Sequence, residues 1–265
     1  MRFLFVLLIF SSYFSYAQNQ FEIDYQVLEY MQLNAVDDTI SASIGTVGNG
    51  ELKHGKLMPY KGNNFVYFDK ESYLAGRGFI HSTLRNAILS GFDSLETVLP
   101  SRYFTIMECS NKEGGEMFPH KTHQNGLSID FMMPLLKNDK PYLGLDSIGA
   151  QHYALDFDDN GNYSKDASIQ IDFNTVAQQI LIMDYFARQN GLNISKVIIK
   201  IEFKEELFAT YYGKILKKSG IYVVQGLSPL INALHDEHFH LDFEFTYPKT
   251  PQANATKSIE KVGVH

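Results

Sequence analysis

Two short windows of the chain concentrate the residue types that bind divalent metals. Residues 120–130 read HKTHQNGLSID, and residues 235–240 read HDEHFH. Together they contain five of the nine histidines in the sequence. Each window offers candidate zinc ligands, but neither can complete a metal site alone. We therefore interpret them as two halves of one metal centre, which the rest of the chain must bring together.

In the first window the candidate ligands are His123 and Asp130, which lie seven residues apart. Within one helix or one strand, that spacing does not direct both side chains at one metal. It suits a metal site if His123 lies in a loop and Gly126 lets the backbone turn into a strand that carries Asp130. Residues 127–133 are mostly apolar, and they predict that strand.

In the second window His238 and His240 are separated by one residue. On a strand, residues i and i+2 face the same side, so both imidazoles can point into one cleft. Phe239 then points to the opposite face, which suits a core. Residues 238–245 are predicted to form this strand, and its second half alternates apolar and acidic residues, as a half-exposed strand does.

Two imidazoles and one carboxylate leave one position open on tetrahedral zinc, which is the arrangement of catalytic sites rather than of closed structural ones. Water in that position acquires a pKa of about 7, and zinc polarises a carbonyl that is to be cleaved. A nearby base must still take a proton, and His238 and Glu237 both qualify. The order His-Asp-Glu-His differs from the His-Glu-x-x-His helix of thermolysin-like proteases.

The composition indicates a well-packed acidic protein. The 265 residues are 45% hydrophobic and 14% aromatic, which allows a sizeable core in one large domain or two small ones. The formal net charge of −7 argues against nucleic-acid binding, because neutralising phosphates needs clustered Lys and Arg. The single cysteine, Cys109, has no disulfide partner, and we interpret it as a buried inert thiol. A structural zinc held by thiolates is thereby excluded.

The first 17 residues have the pattern of a secretory signal peptide. Arg2 gives a positive start, residues 3–10 are apolar, and small residues precede a cleavage site after Ala17. The apolar run is too short to span a bilayer, so we expect an exported mature chain without a transmembrane segment. The remainder divides into an N-terminal extension (18–44) without an assigned function, a domain (45–248) and a polar C-terminal tail (249–265).

Hydrophobic periodicity predicts the elements that must position the two windows. Amphipathic helices are expected over residues 80–99, with an interruption or end near Gly91, and over residues 173–189. Shorter helices are expected at residues 204–216 and 227–234. Strands are expected at residues 65–68, 103–109, 127–133, 197–201 and 238–245. The fold class is therefore α+β, a single domain with a small antiparallel sheet that carries the zinc site, flanked by helices.

Residues 156–162 imitate the first half of a calcium-binding EF-hand loop. Counted from Asp156, the twelfth position is Ala167 instead of the glutamate that supplies a bidentate ligand. Asn160-Gly161 is a strong turn signal between β-type flanks. We therefore predict a β-hairpin over residues 151–172 in preference to a calcium site.

The two windows also resemble a known family. The patterns H-x-x-H-Q-x-G-x-x-x-D from His120 to Asp130 and H-x-x-H-F-H from His235 to His240 are similar to those of the penicillin-insensitive murein endopeptidases. These enzymes belong to the lysostaphin, D-Ala-D-Ala metallopeptidase and hedgehog-like zinc fold group. The resemblance extends over residues 45–245 and includes a glycine-rich entry at residues 49–59.

The resemblance implies a periplasmic zinc peptidase that cuts peptide cross-links of peptidoglycan next to D-alanine and a diamino acid. It implies His123, Asp130 and His240 as zinc ligands. His238 would be the base or the transition-state partner, and His120 and His235 would line the site. Relatives with a Glu-x-x-His pattern use the glutamate as base, so Glu237 remains an alternative to His238.

The chain departs from the best-known members of that family in having one cysteine and no tryptophan. Two other interpretations are considered. One is a non-catalytic wall-binding protein with the same fold and a degenerate metal site. The other is a zinc peptidase that acts on other peptides.

Overall fold

The computed structural model describes residues 23–246. The predicted signal peptide over residues 1–17, its cleavage after Ala17 and the predicted tail over residues 249–265 lie outside the described residues. Within them, helices and strands are interspersed, and the predicted α+β single-domain class is confirmed.

The element bounds are as follows. The helices are α1 (Tyr25–Leu33), α2 (Lys70–Leu74), α3 (Ser82–Val98), α4 (Phe173–Gln189), α5 (Lys204–Ala209), α6 (Tyr211–Lys218) and α7 (Pro229–Ala233), with 3-10 helices at Gly149–Ala154 and Ile201–Phe203. The strands are β1 (Ala42–Thr46), β2 (Asn49–Lys53), β3 (Lys56–Leu57), β4 (Phe65–Tyr67), β5 (Phe79–Ile80), β6 (Phe104–Ile106), β7 (Ser128–Met132), β8 (Leu135–Lys137), β9 (Lys140–Tyr142), β10 (Ile169–Ile171), β11 (Leu192–Ile198) and β12 (His238–Phe245).

Five strands form the central sheet in the order β11-β12-β7-β6-β4. Neighbours run antiparallel, except that β4 lies parallel to β6 at one edge. The predicted antiparallel pairing therefore holds for the strands that carry the candidate ligands, whereas the sheet as a whole is mixed. Every residue of β7 is buried, so the side chains of this strand are surrounded by protein on both faces of the sheet.

The two long helices pack together beside the sheet. In α3, Phe92 contacts Phe131 of β7 with ring centroids 6.0 Å apart, and Phe131 contacts Phe239 of β12 at 5.5 Å. The interruption predicted near Gly91 is wrong, because α3 continues through it. A Cβ at Gly91 would lie 2.5 Å from the sulfur of Met183 in α4. Gly91 therefore serves the close approach of the two helices, not a helix end.

The shorter elements differ from the predicted ones at their ends. β11 begins at Leu192, earlier than the strand predicted over residues 197–201. The helix predicted over residues 204–216 is divided into α5 and α6, because Thr210 is extended and its side chain accepts a hydrogen bond from the Gly213 amide. A threonine in that position is a helix N-cap, which starts α6 as a separate helix.

The hairpin predicted over residues 151–172 is mostly wrong. It is reduced to two isolated antiparallel bridges, Asn162–Gln170 and Phe157–Tyr163, the latter around a turn in which Asp158 accepts backbone hydrogen bonds. The first flank is part of the 3-10 helix Gly149–Ala154, and the second flank, β10, pairs with β8. The second flank therefore pairs with β8, a strand that precedes the turn in the chain. The turn signal alone could not identify this partner strand.

Part of the N-terminal extension is folded onto the domain. The Asp24 side chain caps α1 by accepting a hydrogen bond from the Gln26 amide. Val27 of α1 is fully buried in the main hydrophobic core, and β1 pairs with β2. Within residues 23–246, none of the helices has the length and apolar character needed to cross a membrane.

Candidate metal centre

Adjacent strands bring the two windows together. β7 and β12 are antiparallel neighbours, and His240 lies directly opposite Asp130. His238 and His240 both line one cavity, while Phe239 between them is fully buried in the core. The strand predicted over residues 238–245 is confirmed with the same bounds.

The loop before β7 supplies His123. Its φ is +70°, and that of Gly126 is +74°. As predicted, Gly126 turns the chain into the strand that carries Asp130. For a residue with a side chain, this backbone region is strained and persists only where surrounding contacts enforce it, often at functional sites. One such contact is the hydrogen bond from Ser110 Oγ to the His123 carbonyl oxygen.

Three side chains of the first window form a group that can hold a metal ion. One ligand atom from each of His120, His123 and Asp130 lies within 4.8 Å of the others. Asp130 Oδ2 is 3.2 Å from His123 Nε2 and 3.6 Å from His120 Nδ1. The structure thus brings His120, which the sequence placed only at the edge of the site, into the same group as two predicted ligands.

His123 provides the sharpest sign that a cation fits here. Its Nδ1 donates a hydrogen bond to the Cys109 carbonyl oxygen, so the lone pair is on Nε2. Among the described residues Nε2 has no hydrogen-bond partner, although it is buried. It faces an Asp130 oxygen at 3.2 Å, and both atoms are acceptors. A positive ion between them would satisfy both, and a hydrogen-bonded second ring nitrogen is the usual setting of a histidine ligand.

His240 lies against this group with both ring nitrogens occupied. Nδ1 is 2.7 Å from Asp130 Oδ1, and Nε2 is 2.6 Å from Asp242 Oδ1. Burial alone would lower the pKa of His240, but the charges of Asp242 and Asp130 outweigh it and raise that pKa to about 10. His240 is therefore an imidazolium in this state, and it must lose a proton and its contact with Asp130 before it can bind a metal.

Asp242 is a residue of the site that the sequence reading missed. Its predicted half-exposed position on β12 is wrong, since it is 1% exposed. Besides His240 it accepts a hydrogen bond from Ser128 Oγ at 2.7 Å, and its other oxygen is 2.7 Å from Lys196 Nζ. Burial opposes ionisation, yet the His240 charge holds the pKa of Asp242 below its usual range. The alternation of apolar and acidic residues suggested that Asp242 is exposed, but its carboxylate is buried beside the candidate ligand His240.

Glu108 is the second missed carboxylate. It follows β6, where the Asp130 amide donates to the Glu108 carbonyl oxygen and aligns the two acids side by side. Its side chain contacts His120 Nε2 and is held by Arg77, with Nη1 at 3.0 and 3.2 Å from its two oxygens. Burial opposes protonation of His120, but Glu108 and Asp130 outweigh it and raise its pKa. The sequence offered one signal for Glu108: it is an acid in the mostly apolar strand that was predicted over residues 103–109.

We call Glu108, His120, His123, Asp130, His240 and Asp242 the carboxylate cluster. Burial disfavours the Asp130 anion, but its contacts with the rings of His123 and His240 hold its pKa well below the usual range. The cluster has three carboxylates for three imidazoles. Arg77 and Lys196 already pair with Glu108 and Asp242, so removal of the His240 proton would leave Asp130 as the carboxylate that a divalent cation can balance.

The second window forms a different group, the neutral cluster, made of His235, Glu237 and His238. A hydrogen bond of 2.7 Å connects His238 Nδ1 to Glu237 Oε1. His235 Nδ1 donates to the Ile231 carbonyl oxygen at 2.6 Å. Burial lowers the pKa of His238 to about 4 and that of His235 to about 3, and it raises the pKa of Glu237 to about 7.

Both clusters open onto a cavity of about 330 Å³. His120, His235, His238 and His240 line it, together with Tyr153, whereas Glu237 does not. The Tyr153 ring approaches the His238 ring edge-on at 6.3 Å. Tyr153 belongs to the 3-10 helix that replaces the predicted hairpin, so no motif in the sequence could have assigned it to the site. The arrangement places metal-binding groups and unprotonated imidazoles around a space large enough for a peptide segment.

Neither protein-family models nor curated proteins provide a relative of the chain. The sequence matches no protein-family model. No curated protein matches it at a significant level. The function of the chain therefore has to be argued from the site.

Proposed function

We propose that the chain is a zinc metallopeptidase of the murein endopeptidase type, which hydrolyses peptide cross-links of peptidoglycan. The observation that carries the proposal is the buried, unpartnered Nε2 of His123 facing Asp130 beside a peptide-sized cavity. The sequence patterns of the two windows, which resemble that endopeptidase family, support the same conclusion. The predicted signal peptide supports a periplasmic location.

The metal would be held by His123 and Asp130, with a third ligand from His240 or His120. When bound, zinc supplies a Lewis acid that lowers the pKa of water and polarises a carbonyl. The donor set of imidazoles and carboxylate without thiolate is typical of catalytic zinc. His240 is the third ligand in the murein endopeptidase resemblance, and His120 is the third member of the compact group in this fold.

His238 is proposed as the base. Its Nδ1 faces Glu237, so a neutral imidazole donates there and keeps the lone pair on Nε2. With a pKa of about 4 the ring is unprotonated at neutral pH and can accept a proton. Glu237 is 2% exposed and does not line the cavity, so it orients His238 and does not reach the substrate.

Mass spectrometry of peptidoglycan fragments tests this proposal. We expect the zinc-loaded protein to convert cross-linked muropeptide dimers into monomers, each cleavage adding one water. A chelator should stop the reaction, and zinc should restore it. Cleavage that persists after the metal has been removed would contradict the mechanism.

The same experiment separates the alternatives. Zinc bound in a 1:1 ratio without cleavage of muropeptides or other peptides would favour a wall-binding protein with a metal site. Cleavage of ordinary L-peptides but not of muropeptides would favour a general zinc peptidase. The His238→Ala variant is the matched control, because it should keep the metal and lose turnover.

A further inference from the structure

A second cavity, of about 490 Å³, lies next to the proposed catalytic cavity. The two share the 3-10 helix Gly149–Ala154: Tyr153 lines the first, and residues 149–151 line the second. Phe68 lines the second cavity, and its ring contacts that of Tyr153 edge-on at 5.6 Å. Two aromatic rings thus form the partition between the cavities.

Asp146 is the unusual group in the second cavity. It lines the cavity and is only 6% exposed. Within residues 23–246 its carboxylate makes no hydrogen bond; burial raises its pKa to about 7, and the positive charge of Arg102 only partly opposes this. Arg102 is already engaged, since it donates to the Leu135 carbonyl oxygen at 2.7 Å and pairs with Asp172. A buried carboxylate without a donor is costly, so a cavity that exposes it to a ligand gives it a role.

The other charged groups around the cavity are satisfied or negative. Asp69 accepts hydrogen bonds from the amides of Ser72 and Ala150, at 2.8 and 3.1 Å. Lys70 Nζ lies 2.9 Å from Asp24, and Glu71 adds a further negative charge. The cavity therefore attracts a positive group. Because Asp69 is occupied, Asp146 stands alone and does not provide the several oxygens that a calcium or magnesium ion needs.

Aromatic side chains complete the lining. Tyr60, Tyr67 and Phe68 all face the cavity, and the rings of Tyr60 and Tyr67 stack at 6.3 Å. A carboxylate beside aromatic faces is a favourable environment for an ammonium group, which gains both a charged hydrogen bond and a cation–π contact.

We infer that the second cavity is a substrate subsite that binds a primary ammonium group through Asp146. The inference rests on the proposed function and specifies its substrate class: cross-linked peptides whose diamino acid keeps a free amine. Ring contacts of 6.3 and 5.6 Å connect His238 to Tyr153 and Tyr153 to Phe68.

Equilibrium binding to a matched pair of ligands tests the subsite. The ligands are a muropeptide dimer with a free amine and the same dimer after N-acetylation. Calorimetry uses the zinc-loaded His238→Ala protein, so that hydrolysis does not interfere. The free amine is expected to bind roughly ten- to a hundredfold more tightly, as a charged hydrogen bond allows.

Variants localise the effect. Asp146→Asn should remove the preference, because the neutral amide no longer attracts an ammonium group. Gln151→Lys, at an exposed lining residue, should do the same by placing its own ammonium in the cavity, and it leaves Asp146 intact if Asp146→Asn does not fold. Asp93→Asn, the same chemical change at an exposed position of α3, should keep the preference.

The outcomes separate this inference from the proposed function. Equal binding of the two ligands, or a preference that survives in both Asp146→Asn and Gln151→Lys, would overturn the subsite even if the wild-type protein cleaves the dimers. A preference that depends on Asp146, without cleavage by the zinc-loaded wild-type protein, would overturn the peptidase and keep the subsite. Absence of both binding and cleavage would overturn both.

Discussion

The carboxylate cluster and the neutral cluster place histidines in opposite electrostatic settings within one cavity. In the first, Asp130 and Asp242 raise the pKa of His240 to about 10. In the second, burial lowers the pKa of His238 to about 4. Burial also raises the pKa of Glu237, the acid that contacts His238, to about 7. One cluster is suited to hold positive charge, and the other is kept free of protons. The difference supports the proposed division, in which the first cluster holds the metal and the second transfers a proton.

The largest effect is expected from removing the shared carboxylate of the carboxylate cluster. Asp130→Asn should abolish stoichiometric zinc binding, because Asp130 contacts His120, His123 and His240 at once. Elemental analysis of the purified variant measures this directly. Asp158→Asn, in the turn that resembles half of an EF-hand loop, is the control and should keep its zinc. Full zinc content in Asp130→Asn would mean that the metal lies elsewhere.

The neutral cluster should respond in turnover and not in metal content. His238→Ala is expected to lower kcat by roughly 10²–10⁴-fold, the usual contribution of a general base, with zinc retained. Glu237→Gln should cost less, since Glu237 is behind His238 and outside the cavity lining. Steady-state kinetics on a muropeptide dimer compare the two. A larger loss in Glu237→Gln than in His238→Ala, at equal zinc content, would make Glu237 the base.

The Asp242→Asn variant tests whether the contact between Asp242 and His240 contributes to zinc affinity. Asp242→Asn removes the charge at 2.6 Å from His240 Nε2 and should weaken zinc affinity by roughly 10–100-fold, as loss of such supporting carboxylates does. Competition with a chromophoric chelator measures the affinity. If zinc affinity is unchanged while His120→Ala lowers it strongly, His120 and not His240 completes the ligand set.

The smallest effect concerns the stability of the metal-free protein below neutral pH. His152, His235 and His238 are unprotonated in the fold, with pKa values lowered by burial to about 3, 3 and 4. The unfolded chain takes up their protons near pH 6.5, so it binds more protons than the fold below that pH. The stability that these histidines contribute is therefore present above pH 6.5 and is lost as the pH falls toward 4, by at most ~1.4 kcal/mol per pH unit for each histidine. The buried acids Asp146, Asp236 and Glu237, whose pKa values are raised to about 7, act in the opposite direction over the same range and offset much of this loss.

Thermal unfolding between pH 4.5 and 7 measures this loss. In His235→Asn, which removes a side chain bonded only to a backbone carbonyl, the slope of stability against pH should differ from that of the wild type by the uptake of one proton, in favour of the variant at low pH. The same slope in both proteins would show that His235 does not keep its low pKa.

Much of the scaffold could be predicted from periodicity. The helix α4 and the strand β12 have the predicted bounds, because each carries a regular apolar pattern that ends at a strong signal. The turn at Gly126 was also predictable, since two ligands so close in sequence need one. The continuation of α3 through Gly91 was not, because the sulfur of Met183 that packs against Gly91 comes from another helix.

The site was only half predictable for the same reason. The histidines are recognisable by type and spacing, but Glu108 and Asp242 acquire their roles through neighbours on other strands. Their alternation with apolar residues resembles that of solvent-exposed acids until the sheet register is known. Tyr153 depends on the 3-10 helix that takes the place of the predicted hairpin. Local pattern therefore identifies candidate ligands, and tertiary contacts decide which groups tune them.

Anomalous scattering at the zinc edge, from crystals of the zinc-loaded protein, tests the central claim most directly. The account predicts one peak within bonding distance of His123 Nε2 and an Asp130 oxygen, with His240 or His120 completing the ligands and His238 close by but unbound. A peak at any other place in the protein, or none in a protein that cleaves muropeptides, would contradict it.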